Sequence, residues 1–413
     1  MTTKYLERFE KIEKVVLIDN KKIDLDYLRE GSSYGCPEKL RPIVWRLLLN
    51  FLPLERQKWK SFTTERRNNY NVLLQQFIVD PGQADEISDH PLSENPHSDW
   101  NAFFEDNKIL GQIDKDVRRL HPEIQLFQMP TNFPNGHGLK YPLYKRITGD
   151  DAGCEELFSN RDGGISLVNK SKRPIAAQPS TSESHWQVVE RILFIYAKLN
   201  PGVQYVQGMN ELIAPIYYVF ASDKDVEWAE YAEADTFFCF QQLMSEVKDN
   251  FIKTLDSSMC GIESLMSLFH SLLASFDPEL YHHLIETLNI KPQFYAFRWL
   301  SLMLSQEFPL PDVITLWDSL FADSKRFSLL PFICLAMLEI QRNELLNSDF
   351  AECMRLLQNY PEMDVANLVV LGIDLRDGRA TRPSQELTKR DRIVKHARQL
   401  SDTIKNISSL IKK

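Results

Sequence analysis

The chain has 413 residues, of which 43% are hydrophobic and 25% are charged, so it can bury a substantial core. Its net charge of −9 argues against nucleic acid as the main partner, because nucleic-acid binding requires a basic face. Six cysteines without any CxxC pair argue against a disulfide framework and against a zinc site, and we expect reduced thiols.

Residues 1–30 form an N-terminal lead segment that begins MTTKYLERFEKIEK. This beginning is charged throughout and lacks the apolar stretch of a secretory signal. No apolar segment of the chain approaches the ~20 residues that a membrane span needs. We therefore expect a cytoplasmic protein whose contact with membranes is peripheral at most.

A first motif, GCPEKLRPIVWRLLL, carries Arg41 and Trp45 one helical turn apart. Side chains at that spacing can meet on one face of a helix. Taken alone, the motif indicates a tryptophan in a hydrophobic core rather than a functional site.

A second motif, GQIDKDVRRLHPE, places Ile113, Asp116 and Arg119 at steps of three. An aspartate three residues before an arginine can hydrogen-bond to the guanidinium and orient it. Taken alone, the pattern is more typical of an exposed ion pair worth under ~1 kcal/mol. Arg118 is the alternative arginine, but the spacing from Ile113 and Asp116 selects Arg119.

Two polar segments interrupt the helical pattern, residues 80–97 and the longer residues 146–184. The second predicts a flexible insert, because a long loop inside a compact domain is usually mobile or functional. The segment that follows it places apolar residues from Trp186 to Leu199 close to one helical stripe. No alternating run predicts a sheet, so we predict an all-α fold.

A third motif, NPGVQYVQGMNEL, carries Tyr205, Gln207 and Gly208 just before an apolar helix. Gln207 is therefore expected near a helix start, where backbone amides are unpaired. Gly208 would allow the backbone of a partner to approach closely. Taken alone, the motif is explained more simply by a glutamine that bonds to the backbone.

Residues 346–413 are predicted to form a C-terminal helical extension that ends in a basic helix. Between residues 393 and 411, apolar residues recur at steps of four and three, which is one stripe of a helix. Residues 385–413 contain eight Lys or Arg against three Asp or Glu. The simplest interpretation is that the stripe packs onto the main domain; a short coiled coil and a membrane-facing helix are the alternatives.

Together and in this order, the three motifs resemble those of the TBC-domain Rab GTPase-activating proteins, which carry RxxxW, IxxDxxR and YxQG elements. The resemblance continues in FRWLSLMLSQEFPLPDVITLWDSLF and covers residues 31–345, which would form the TBC domain. The family commonly has threonine after the motif arginine, where this chain has Leu120.

The resemblance implies a multi-helix domain that activates a GTPase and is not an enzyme by itself. It implies that Arg119 neutralises charge on the phosphates and that Gln207 orients the attacking water, in the active site of a GTP-bound Rab. The other motif residues would support or orient these two: Asp116, Tyr205, Gly208, Ile113, Arg41 and Trp45. GTP and Mg²⁺ would be carried by the partner, so no cofactor of its own is implied. The implied role is regulation of vesicle traffic, with recruitment to membranes through the Rab.

Two other functions compete with this one. A module of the same fold could bind a Rab or act as a scaffold without accelerating hydrolysis. A stand-alone hydrolase would need a nucleophile or a metal set, and the adjacent His282 and His283 point in different directions on a helix. Neither requirement of a hydrolase is met by the sequence.

Overall fold

The computed structural model describes residues 9–18, 22–78, 99–135, 143–148, 183–251 and 261–380. The polar segment 80–97, residues 149–182 of the insert and the basic segment 385–413 lie outside these ranges, as do Cys154 and Cys260. Within them there is no β-strand, and extended pairing is limited to two isolated bridges, Lys22 with Glu55 and Pro130 with Ser184. The prediction of an all-α fold is confirmed.

The main helices follow one another in chain order. The first seven are α1 (Leu25–Ser32), α2 (Arg41–Leu48), α3 (Trp59–Phe77), α4 (Asp99–Val117), α5 (His185–Leu199), α6 (Met209–Ala221) and α7 (Ala232–Val247). The next seven are α8 (Ile262–Phe276), α9 (Ala296–Ser301), α10 (Leu310–Ala322), α11 (Leu330–Ile340), α12 (Arg342–Asn347), α13 (Phe350–Gln358) and α14 (Val365–Arg376).

Shorter helical segments of one or two turns lie between them. They are Lys14–Ile18, Arg56–Lys58, Gln125–Gln128, Lys145–Thr148, Val226–Ala229, Lys248–Phe251, Pro278–Tyr281, His282–Thr287 and Pro292–Phe294.

The chain divides into two compact units. The first unit comprises Met1–Phe62 and Cys239–Lys413, and the second comprises Thr63–Phe238. The second motif and the third motif both belong to the second unit, whereas the first motif belongs to the first unit.

The first unit has an aromatic core, in which Trp45 of α2 contacts Phe321 of α10 at 4.9 Å between ring centroids. Helix α14 packs against α10 and α11, so the helical unit continues beyond residue 345. Gly372 makes the close approach of α14 to α11 possible: a Cβ at this position would lie 2.9 Å from a side-chain carbon of Ile333. A larger residue there would push the two helices apart.

The second unit is built around α5, which packs against α4 and α6. The helix begins with a reciprocal cap, because the side chain of Gln187 accepts a hydrogen bond from the backbone N–H of Ser184 at 2.7 Å. The sequence predicted one apolar stripe, but every residue from His185 to Ala197 is buried. The stripe prediction was too narrow because α5 has neighbours on all sides.

The four cysteines in the described part of the chain, Cys36, Cys239, Cys334 and Cys353, are buried free thiols, as predicted. Burial raises the pKa of the Cys36 and Cys334 thiols well above their ordinary value. Because the thiolate is the reactive form, these two side chains are chemically inert parts of the core.

Candidate functional site

Arg119 lies just beyond the C-terminal end of α4, in a turn whose apolar residues are anchored in the core. Ile113, Val117 and Leu120 have no exposed surface, whereas 74% of the Arg119 side chain is exposed. The backbone N–H of Arg119 bonds to the carbonyl oxygen of Asp116 at 3.2 Å. The buried anchors fix the end of the helix, and the arginine projects from it.

The guanidinium of Arg119 is held at its base by the preceding turn. Its Nε donates to the carbonyl oxygen of Lys115 at 2.9 Å, and its Nη2 donates to Oδ1 of Asp116 at 3.2 Å. The Asp116 side chain is only 12% exposed. Since an arginine has five N–H donors, this pairing leaves donors that can bind an anion.

Arg118, the alternative arginine, has a different environment. Its Nε donates to Oδ1 of Asp114 at 2.7 Å, and its guanidinium stacks 4.6 Å from the ring of Trp186. The side chain is 40% exposed. The ion pair and the stacking tie Arg118 to the surface of its own unit.

Tyr205 joins the segment that carries Gln207 to the segment that carries Arg119. Its hydroxyl donates to Oδ2 of Asp116 at 2.7 Å, and the residue is 7% exposed. Burial, followed by the hydrogen bond to Asp116, raises the pKa of Tyr205, so the hydroxyl keeps its proton. Asp116 therefore accepts from Tyr205 with one oxygen and from Arg119 with the other.

Gln207 is exposed on the turn that precedes α6. The next residue, Gly208, caps α6 with a φ of 103°, a left-handed conformation that favours glycine. The predicted position of Gln207 near a helix start is confirmed. An exposed carboxamide offers one acceptor and two donors, which suits the binding of a water molecule.

Three polar residues around the two motifs were not predicted to have a functional role, although Asn210 belongs to the third motif. Nδ2 of Asn210 donates to Oε1 of Glu211 at 2.9 Å, and Oε2 of Glu211 lies 3.8 Å from Nε2 of His121. Asn210 follows directly in QGMN, so its place at the start of an apolar helix was the one available signal.

Arg41 and Trp45 lie on α2 in the first unit, where their side chains meet on one carboxylate. Nε and Nη2 of Arg41 and Nε1 of Trp45 donate to the carboxylate of Asp318, at distances from 2.7 to 3.1 Å. The backbone N–H of Cys36 adds a fourth donor at 2.7 Å. Asp318 has no exposed surface, so this cluster is part of the core of its unit.

Replacing Asp318 with alanine should destabilise the first unit by about 3–5 kcal/mol, because it leaves the Arg41 charge without its buried partner. Thermal or urea denaturation would measure the loss. Lys58→Ala is the matched control in the same unit, since the Lys58–Glu55 pair is 66% and 46% exposed and should contribute under ~1 kcal/mol. Equal stability of the Asp318 variant and the wild type would contradict the structural role of the cluster.

A cavity of about 550 Å³ in the second unit is lined in part by Arg67, Tyr70 and Glu233. These three side chains are already paired: the Tyr70 hydroxyl donates to Glu233 at 2.7 Å, and Arg67 pairs with Asp235 at 2.9 Å. Neither Arg119 nor Gln207 lines this cavity. The cavity therefore contributes nothing to the candidate site.

The described ranges contain neither a candidate metal cluster nor a candidate membrane-spanning helix. No group of three His, Cys, Asp or Glu side chains in them is arranged to hold a metal ion. His282 faces Glu286 and His283 faces the carbonyl oxygen of Ser348, so the two imidazoles point to different neighbours. Among the helices described, none is long and apolar enough to cross a bilayer.

A family model described as the Rab-GTPase-TBC domain (RabGAP-TBC) matches residues 170–346. The matched range includes Gln207 and begins after Arg119, so the second motif lies outside it.

Curated relatives extend the similarity over most of the chain. TBC1 domain family member 13 of Homo sapiens is 48% identical, over 86% of this chain and 95% of the relative. A TBC domain-containing protein of Schizosaccharomyces pombe is 35% identical, over 92% of this chain and 74% of the relative. The wording QIDKDVRRLHPE and the long insert predict a resemblance to TBC domain family member 13 in particular, and the 48% identity over most of the chain confirms that resemblance.

Solved structures agree on the fold. The crystal structure of the Ypt/Rab-GAP domain of Gyp1p matches with a TM-score of 0.65 and 23% identity, covering 89% of this chain and 97% of that one. The TBC domain of a Chlamydomonas flagellar RabGAP matches with a TM-score of 0.52 and 16% identity, covering 90% and 96%. At these identities the match establishes the architecture alone.

Proposed function

This chain belongs to the family of TBC-domain Rab GTPase-activating proteins, and from that membership we propose that it accelerates GTP hydrolysis by a Rab-family small GTPase. In this proposal it is an activator that supplies Arg119 and Gln207 to the active site of a GTP-bound Rab. The Rab carries GTP and Mg²⁺, and it recruits the activator to the membranes whose traffic it regulates.

The observation that carries the proposal is the bond between Tyr205 and Asp116. It ties together two turns, one of which presents the exposed side chain of Arg119 and the other that of Gln207. The first turn follows the buried residues Ile113 and Val117 of α4, and the second leads into the largely buried helix α6, which restricts the movement of both turns. A site that another molecule completes requires exposed groups whose relative positions are fixed, and these two turns meet that requirement.

Arg119 has the chemistry to stabilise the transition state of phosphoryl transfer. Its guanidinium is permanently charged and planar, with donors that match phosphate oxygens. An arginine supplied in trans is worth about 10³–10⁵ in rate, or about 4–7 kcal/mol. Asp116 keeps the guanidinium pointing outward, and an exposed ion pair alone would contribute under ~1 kcal/mol.

Gln207 has the chemistry to position the attacking water. Its carboxamide oxygen accepts a hydrogen bond from the water while its NH₂ group can donate to a phosphate oxygen or to the partner's backbone. A neutral side chain is suited to this role because a carboxylate at the same place would repel the phosphates.

The proposed activity is tested with a panel of purified Rab GTPases loaded with GTP, each assayed for phosphate release with and without the chain. We expect an acceleration of at least about 10³-fold for one or more Rabs. The chain incubated with GTP alone should release no phosphate. Binding to GTP-loaded Rabs without acceleration would favour the non-catalytic module, and turnover without a GTPase would favour a hydrolase.

A further inference from the structure

The side chain of Asn210 lies beneath the turn that presents Gln207. Asn210 is 5% exposed and belongs to the first turn of α6. Its Oδ1 accepts from the backbone N–H of Gly208 at 3.2 Å, and its Nδ2 donates to Oε1 of Glu211 at 2.9 Å. These bonds fix the orientation of the amide. A flipped amide would place its NH₂ group against the N–H of Gly208 and its oxygen against the carboxylate of Glu211.

The amide of Asn210 also contacts the tyrosine that links the two turns. The hydroxyl of Tyr205 has one proton and two acceptors nearby, Oδ2 of Asp116 at 2.7 Å and Oδ1 of Asn210 at 3.3 Å. The proton belongs to the shorter, charge-assisted bond with Asp116. The Asn210 oxygen then lies beside the hydroxyl, in reach of its proton whenever the bond to Asp116 opens.

A second connection runs from Asn210 to the turn of Arg119 through Glu211. Oε2 of Glu211 lies 3.8 Å from Nε2 of His121, a residue that is 9% exposed and two positions after Arg119. His121 has a φ of 41°, a left-handed conformation that is uncommon for residues other than glycine. The packing around His121 must therefore stabilise this backbone conformation. Asn210 is thus connected to the Arg119 turn mainly through Tyr205 and Asp116, because the 3.8 Å between Glu211 and His121 is longer than a hydrogen bond.

We propose that Asn210 is a positioning residue for the GTPase-activating reaction: its buried carboxamide fixes the Gln207 turn at a set distance from Arg119. This inference rests on the function proposed above. Asn210 acts through the backbone of Gly208 and through Tyr205, without contact with the nucleotide. A displacement of about 1 Å in a catalytic group can cost about 10²-fold in rate, so a single buried amide can have a large effect.

The test compares Asn210→Ala, Gln207→Ala and the double variant on the Rab that the wild type activates most strongly in the panel. We expect Asn210→Ala to lower kcat about 10–10²-fold while KM for the GTP-loaded Rab changes less than about 3-fold. In the Gln207→Ala background, Asn210→Ala should lower the rate by less than about 3-fold, because it acts through the missing carboxamide.

Tyr70→Phe is the matched control for stability, since it removes another buried hydrogen bond of the second unit, at 2.7 Å to Glu233. It should lower the melting temperature and leave kcat unchanged. If Asn210→Ala does not fold, Asn210→Ser takes its place, because the serine hydroxyl retains an acceptor. An unchanged kcat, an effect on KM alone, or full additivity with Gln207→Ala would overturn the role of Asn210. A wild-type rate for Gln207→Ala itself would instead overturn the proposed function.

Discussion

Replacing Arg119 with alanine is expected to reduce the acceleration of Rab GTP hydrolysis about 10³–10⁵-fold. The loss follows from removing a permanent positive charge from the place where negative charge develops on the phosphates. The variant should fold normally, because the side chain is 74% exposed and its bonds within the described residues are to the turn before it. Single-turnover phosphate release with excess activator measures the effect on the chemical step.

Arg118→Ala is the matched control for this variant. Arg118 is also an arginine at the end of α4, but it pairs with Asp114 and stacks on Trp186. Its removal should lower the melting temperature by a few degrees and leave the GTPase rate within about 3-fold of wild type. A large loss of rate for Arg118→Ala together with full activity for Arg119→Ala would reverse the assignment of the two arginines.

Replacing Gln207 with alanine is expected to lower the accelerated rate about 10²–10³-fold, the range found when one preorganised hydrogen-bonding group is removed from an active site. Gln207→Glu should lose about as much, because the carboxylate has the right size but repels the phosphates and cannot donate. Both variants should have the same melting temperature as the wild type, since Gln207 is exposed. The same single-turnover assay gives the rates.

Gln75→Ala serves as the matched glutamine control, because Gln75 is exposed on α3 in the same unit. Its rate should equal that of the wild type. If Gln207→Ala retained the wild-type rate while Arg119→Ala lost activity, this chain would supply a single arginine, and the glutamine of the Rab itself would orient the water.

The parts of the site that depend on local spacing could be predicted from the sequence. The steps of three from Ile113 to Asp116 and Arg119 place the anchor, the acid and the arginine on adjoining helical positions, and the structure brings the acid and the arginine into contact at 3.2 Å. The turn residues before α6 likewise place Gln207 at a helix start.

The contacts between distant segments could not be predicted. Tyr205 is 89 residues from Asp116, and Asp318 is 277 residues from Arg41, so no helical or strand period relates them. Helical periodicity also fails for α5, because a helix enclosed on all sides has no polar face for a stripe to reveal. These pairings follow from tertiary packing, which a single sequence does not display.

The proposed function requires that the guanidinium of Arg119 and the carboxamide of Gln207 converge in the nucleotide site of a partner GTPase. It is tested most directly by the structure of the complex with its Rab bound to GDP and aluminium fluoride, which mimics the transition state. Both groups should lie at hydrogen-bond distance, about 2.7–3.2 Å, from the fluorides or from the attacking water. A well-formed complex in which either group lies outside the nucleotide site would contradict it.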